Sequence, residues 1–271
     1  MLSTKKLKKI ISGMLIAGLI FSILPASLSE AAEKKELFPY VIYAGDPDGG
    51  INIKATALTV NGDIHSNGEF LRSSNYFHMN GKITDNEVIS ENLVKPATGS
   101  AITYLGLELI DKYFDTKDTI LHSGPYSYSD MNMNINNSIY AYSLSFSGNL
   151  ALNGAIGAAS DINISDGNIN VNTSVIYSLQ GDVIITGEQV SVNGLIYAPL
   201  GTVVIDSENF NLNGIIIAQN IIIDCNIVNM NYSHAIAQIV TDYKPEHPEN
   251  PEDPENPEDP EEPGDPDGPI V

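Results

Sequence analysis

From Leu150 onward the apolar residues of the chain fall into columns. Ile156, Ile176, Ile196 and Ile216 form one; Ile162, Val183, Val203 and Ile221 a second; Ile164, Ile185, Ile205 and Ile223 a third. Leu150, Ile169, Val190, Phe210 and Val228 make a fourth, and Leu152, Val171, Val192, Leu212 and Met230 a fifth. The repeat is roughly 20 residues long, a length at which each unit buries its apolar face only by stacking on its neighbours. Within a repeat, Val190-Ser191-Val192 and Phe210-Asn211-Leu212 alternate apolar and polar residues, which is the period of a strand with one buried face. Three such short strands per repeat leave no room for a meander of hairpins that keeps every column in phase. A coil whose turns stack and pair like positions in parallel accounts for all five columns. The pattern predicts an all-β fold, a right-handed parallel β-helix (solenoid) of about 20 residues per rung and about eight rungs.

The polar residues keep the same phase. Asn153, Asn172, Asn193, Asn213 and Asn231 each stand directly after the third strand of a repeat, and Asn61, Asn80 and Asn136 hold the same place in L-T-V-N-G-D-I, F-H-M-N-G-K-I and N-I-N-N-S-I-Y. Stacked Asn side chains can hydrogen-bond along a coil axis, and Asn tolerates the left-handed conformation of a sharp corner. These eight residues are expected to form a structural ladder. A second polar column runs through Asn149, Asn168, Gln189 and Asn209.

Two stretches depart from the repeat. Residues 84–130 read as an inserted excursion, with a short helix expected from Ala101 to Asp115 that places Leu105, Leu109 and Tyr113 on one face. Residues 244–271 carry a proline at about every third position with acidic residues between, the composition of a disordered, self-repelling polyproline-II spacer. The coil is then assigned to residues 32–243. Its last apolar rung, Ile216 to Met230, is followed only by a short segment ending at Tyr243. That rung is therefore expected to be an open, adhesive edge.

The first 31 residues change the picture of compartment. Lys5, Lys6, Lys8 and Lys9 precede an apolar run from Ile10 to Leu24, then Pro25 and the small residues up to Ala32. This is the layout of a secretory signal peptide cut after Ala31, and the run is shorter than the ~18 apolar residues a membrane span needs. The mature chain is expected to be secreted, extracellular or attached to the cell surface, with no membrane contact after cleavage. A single cysteine, Cys225, cannot close an internal disulfide and is read as a small buried hydrophobe. The net charge of −21 makes nucleic acid a poor partner.

Catalytic chemistry finds little support. Parallel β-helix lyases need a basic residue beside a calcium cluster, yet Ala151 to Tyr243 contains no Lys or Arg, and the one arginine is Arg72. Paired carboxylates would serve a hydrolase, but Asp161, Asp166, Asp182, Asp206 and Asp224 occur about one per rung in scattered register. The run from Gly45 to Gly50 lacks the further acidic ligands of a calcium loop. His65, His78, His122, His234 and His247 show no zinc spacing. No catalytic residue, cofactor or metal is expected. The isolated Thr56, Thr59, Thr173, Thr186 and Thr202 do not make the flat arrays of an ice-binding face.

The rungs V-N-G-L-I-Y-A-P-L-G-T-V-V-I (Val192 to Ile205) and L-N-G-I-I-I-A-Q-N-I-I-I (Leu212 to Ile223) resemble those of the bactofilin or polymer-forming solenoids of bacteria. They also look like rungs of secreted clostridial and bacillar surface proteins of unassigned role. The resemblance covers about two thirds of the mature chain and implies self-association through the solenoid ends; the leader departs from the cytoplasmic bactofilins, so their cytoskeletal role does not carry over. The expected function is that of a non-enzymatic structural or surface-assembly protein. One alternative is an adhesin for a cell-wall or other glycan, using the column Tyr177 and Tyr197 or the group Tyr126, Tyr128, Tyr140 and Tyr142. A polysaccharide lyase or glycoside hydrolase is the other.

Overall fold

Period-two alternation resolves, in a computed structural model, into a parallel β-solenoid of about seven turns with roughly 19 residues in each. The structure describes residues 37–87, 103–115 and 117–242. The leader assigned to 1–31 and the spacer assigned to 244–271 lie outside them. The strands are β1 (Tyr40–Ala44), β2 (Gly50–Asn61), β3 (Asp63–Ser66), β4 (Glu69–Asn80), β5 (Ile83–Thr84), β6 (Ile120–Leu121) and β7 (Tyr126–Ile135). They continue with β8 (Ile139–Ala141), β9 (Leu144–Leu152), β10 (Ile156–Ala158), β11 (Ile162–Ser165), β12 (Asn168–Ser178) and β13 (Val183–Tyr232), which winds through successive turns without a break. Among the described residues they are accompanied by the helices α1 (Tyr104–Leu109) and α2 (His234–Asp242), and a wide π-helical turn over Ile110–Phe114 extends α1.

The predicted columns are the core. Every residue of the five is at most 2% exposed, and like positions pair across rungs: Ile156 with Ile176 and Ile139, Ile162 with Val183 and Leu144, Ile169 with Val190 and Leu150. A fully buried Ile, Leu or Val contributes about 1.5–3 kcal/mol of transfer free energy. With no disulfide available, these stacks hold the coil together.

One of the three faces is buried on both sides. Its strands include Tyr40–Ala44, Val175–Tyr177, Leu195–Ala198 and Ile215–Ala218, near-continuous apolar runs of the kind sheets show when covered on both faces. Outside the coil, Tyr43, Tyr177, Tyr197, Ile215 and Ile217 meet Leu105 and Leu109 of α1, Phe114 of the π turn, and Ile236, Ala237 and Val240 of α2. Asp115 N donates to Ile110 O at 2.9 Å, the wider bond that closes the π turn and sets Phe114 inward. Gly157 makes the space: a Cβ there would lie 2.7 Å from Tyr140 Cδ2 and 2.8 Å from Phe114 Cζ. Within the span expected to be helical, Ala101 to Asp115, the described residues form α1 and then the π turn rather than one α-helix; Leu105 and Leu109 are buried and Tyr113 lies at the margin of the cluster.

The order of rungs in space is not their order in the chain. Ile216–Ala218 pairs with Ile42–Ala44 of β1, and Ile221–Asn231 pairs with Ile51–Asn61 of β2. Onto these stack β3 and β4, and β5 follows β3. The chain enters near the top of the stack and climbs to β5. It then passes α1, starts again at the bottom with β6 and β7, and climbs to the underside of its own first rung. Two expectations are corrected here. The rung Ile216–Met230 is not an open edge, because β1 and β2 cover it. The excursion is also shorter than 84–130, because β6 and β7 already pair with β8 and β9 as a regular rung.

Candidate functional site

The eight ladder asparagines stand in one file, in the spatial order Asn136, Asn153, Asn172, Asn193, Asn213, Asn231, Asn61 and Asn80. Asn153 Nδ2 donates to Asn136 Oδ1 at 2.9 Å, Asn172 Nδ2 to Asn153 Oδ1 at 3.0 Å, and Asn213 Nδ2 to Asn193 Oδ1 at 3.1 Å. Asn61 Nδ2 donates to Asn231 Oδ1 at 2.8 Å across residues 170 apart in the chain, which makes the re-entrant N-terminal rungs part of the same ladder. The left-handed role foreseen for these asparagines is not what they do. Among the described residues the positive φ values fall elsewhere: on glycines such as Gly62 (139°), just after Asn61, and apart from glycine on Asn86 and Asp166. Close approach explains the glycine that follows several of them: a Cβ on Gly214 would lie 1.9 Å from Gly194 O. The second polar column is also bonded, with Asn149 Nδ2 donating to Asn132 Oδ1 at 3.2 Å and Asn149 Oδ1 accepting from Asn168 N at 2.8 Å.

The carboxylates are employed at corners. Asp161 Oδ1 accepts from Asp182 N at 2.9 Å, Asp182 Oδ1 from Thr202 N at 2.7 Å, and Asp63 Oδ1 from Lys82 N at 2.8 Å, each binding one rung to the next. Asp166 accepts from Ser147 and Ser165, and Asp224 meets Lys54 at 2.8 Å in an exposed ion pair. Asp46 closes its own turn by accepting from Asp48 N. Among the described residues no three His, Cys, Asp or Glu side chains gather to hold a metal ion. His65 is buried against Asn67 Oδ1 at 2.8 Å, and His122 and His234 lie beside the rings of Tyr126 and Tyr232. Cys225 is buried beside Ser207 Oγ at 3.2 Å, and burial pushes its thiol up, away from the reactive thiolate.

The tyrosines divide. Tyr177 and Tyr197 stack at 5.5 Å between centroids, fully buried beneath α1, and Tyr197 Oη shares a 2.6 Å hydrogen bond with Thr103. They are unavailable to a sugar. Tyr128 and Tyr142 are half exposed, and Tyr128 belongs to the bottom of the coil.

Apolar side chains face solvent on the flank at Tyr142, Ile222 and Ile227, and in larger number at the bottom and the top. β7 pairs with β9 alone and β4 with β2 alone among the described residues, so each terminal rung has an unpaired edge. At the top, Leu71, Tyr76, Phe77 and Ile83 are exposed; at the bottom, Ile120, Tyr128 and Met131 are, the last at 79%. The bottom strand shifts register between Ser129 and Asn132, and a cavity of about 240 Å³ at the bottom is lined in part by Ile120, Tyr126, Tyr128, Met133 and Ile135. In the top rung Arg72 occupies the inward column of Ile53, and its guanidinium lies 4.1 Å from the centre of the Phe77 ring. These ends escaped the sequence reading because their apolar residues look like any other rung's; only Arg72, a charge in an apolar column, marked an edge.

No family model, curated protein or solved structure matches the chain.

Proposed function

We propose that the protein is a non-enzymatic extracellular structural part whose task is to assemble through the ends of its coil. The observation that carries this reading is the pair of terminal rungs that are unpaired among the described residues, each with several exposed apolar side chains, on a body whose flanks expose only scattered apolar residues such as Ile222 and Ile227 between ladders, corner hydrogen bonds and packed helices. Unpaired strand edges of this kind template further pairing unless they are blunted. The leader and the acidic spacer fit the same role, the first exporting the chain and the second holding the coil away from a surface. A glycan-binding role loses its most regular ring column to the core, since Tyr177 and Tyr197 are covered.

The test is size and shape. Light scattering and electron microscopy of the purified mature protein should show mass increasing with concentration into rods one coil wide. A monomer throughout, combined with retention on a glycan array, would replace this reading with adhesion. Release of reducing or unsaturated sugar from a polysaccharide would replace it with catalysis.

A further inference from the structure

The top and bottom rungs differ in composition, yet they carry the same columns. Ile83 continues the file of Ile42 and Ile64, and Ile120 begins the file of Ile139 and Ile156. Phe70 and Arg72 continue Ile51 and Ile53; Tyr126 and Tyr128 begin the columns of Leu144 and Phe146. Phe77 and Met79 extend Leu58 and Val60, while Met133 and Ile135 precede Leu150 and Leu152. The Asn file ends in Asn80 above and Asn136 below. Both ends run in the same sense, because every pairing in the coil is parallel.

Resting on the assembly reading above, we propose that the β4–β5 end of one copy seats on the β6–β7 end of a second copy in this register, continuing the coil as a polar, head-to-tail filament. Ile83 then lies over Ile120, Phe70 over Tyr126, Phe77 over Met133 and Asn80 over Asn136, and the bottom cavity receives the Phe77 side. Arg72 decides the partner. Two top ends facing each other would bring two guanidinium groups into one apolar column, whereas the bottom end offers the Tyr128 ring in that column, with Asp130 within 3.5 Å of its hydroxyl. A cation is attracted to such a ring face and to the carboxylate beside it. The contact is heterologous, so it propagates rather than closing as a dimer.

The register places Ser73 of one copy beside Ser129 of the next; both are exposed, and within one copy they lie at opposite ends of the coil. Full-length Ser73→Cys and Ser129→Cys proteins are oxidised singly and mixed. The expected result is a disulfide-linked pair in the mixture alone, and a ladder of multimers from the double variant. Cross-linking of either single variant with itself would overturn the head-to-tail arrangement. Association by light scattering without the mixed disulfide would overturn the register and leave the assembly reading standing, and a protein monomeric at every concentration would overturn both. Arg72→Glu, with its fold checked by circular dichroism, should weaken association at least tenfold, and Asp130→Lys in the same chain should restore most of it. Association indifferent to Arg72→Glu, or unrestored in the double variant, would overturn the role given to Arg72.

Discussion

A ladder asparagine and a column isoleucine hold the rungs together by different means, and substitutions separate them. Asn193 Oδ1 accepts from Asn213 at the solvent-facing edge, and Asn193→Ala should cost about 1 kcal/mol, the net worth of one ordinary hydrogen bond. Ile205→Ala, at a side chain with no exposed surface, should cost ~2–5 kcal/mol because the packed neighbours cannot close the cavity. Ser191→Ala, on the exposed side of the Val190–Val192 strand on a neighbouring wall, should change little; urea denaturation of the three proteins checks the ranking. The buried phenols add a pH limit. Burial raises Tyr140 to about 12, and Tyr177 and Tyr197 are also raised, with burial the first cause in each case. In the unfolded chain a phenol ionises near 10. Each neutral phenol therefore contributes stability that is intact below pH ~10 and is lost as pH rises through its folded value. Unfolding free energy should fall steeply between about pH 10 and 12 while the 295 nm tyrosinate signal lags behind that of the denatured chain. A flat stability profile over that range would contradict the burial of these rings.

Strands with one buried face were legible because alternation and phase are written in the residues. Val190-Ser191-Val192 can bury only one side, and five columns can stay in phase only if rungs stack. The double burial of the Tyr177 and Tyr197 face had a signal too, in the unbroken runs L-I-Y-A and I-I-I-A, where no polar residue marks an outer side. The seating of β1 and β2 against the last rung of β13 had none. Columns record phase and not order, so Ile42 and Ile64 align with Ile216 equally well above or below it. Only pairing energies across 170 residues choose, through contacts such as Asn61 with Asn231 and Lys54 with Asp224. At this scale Ile42→Ala should destabilise the entire coil by ~2–5 kcal/mol in a single transition, because Ile42 is a fully buried middle rung rather than a terminal one. Separate early melting of the N-terminal rungs would show that they are an appendage. Removal of residues 245–271, which are too polar to bury apolar area, should leave the melting temperature unchanged.

For the molecule as a body, the consequence of re-entry is that the first and last described elements meet. Phe38 N donates to Thr241 Oγ1 at 2.8 Å and Tyr232 Oη to Phe38 O at 2.6 Å, so the first strand and the last helix are tied at one level of the stack. A chain opened within 88–102 and joined by a short linker from Asp242 to residue 37 should fold to the same coil with its rungs in simple sequential order. Its circular dichroism and melting temperature should match those of the native chain, and a permutant that cannot fold would argue against the stack order. In time, the native order reverses what a coil ordinarily permits. A sequential solenoid can wind as it is made, each rung resting on a finished one. Here the rungs synthesised first have no floor until the final rung is complete, and they must wait through the making of the 150 or so residues that follow them. A chain interrupted before that point leaves the underside of its first rungs unseated, so only a finished chain sets them on their floor.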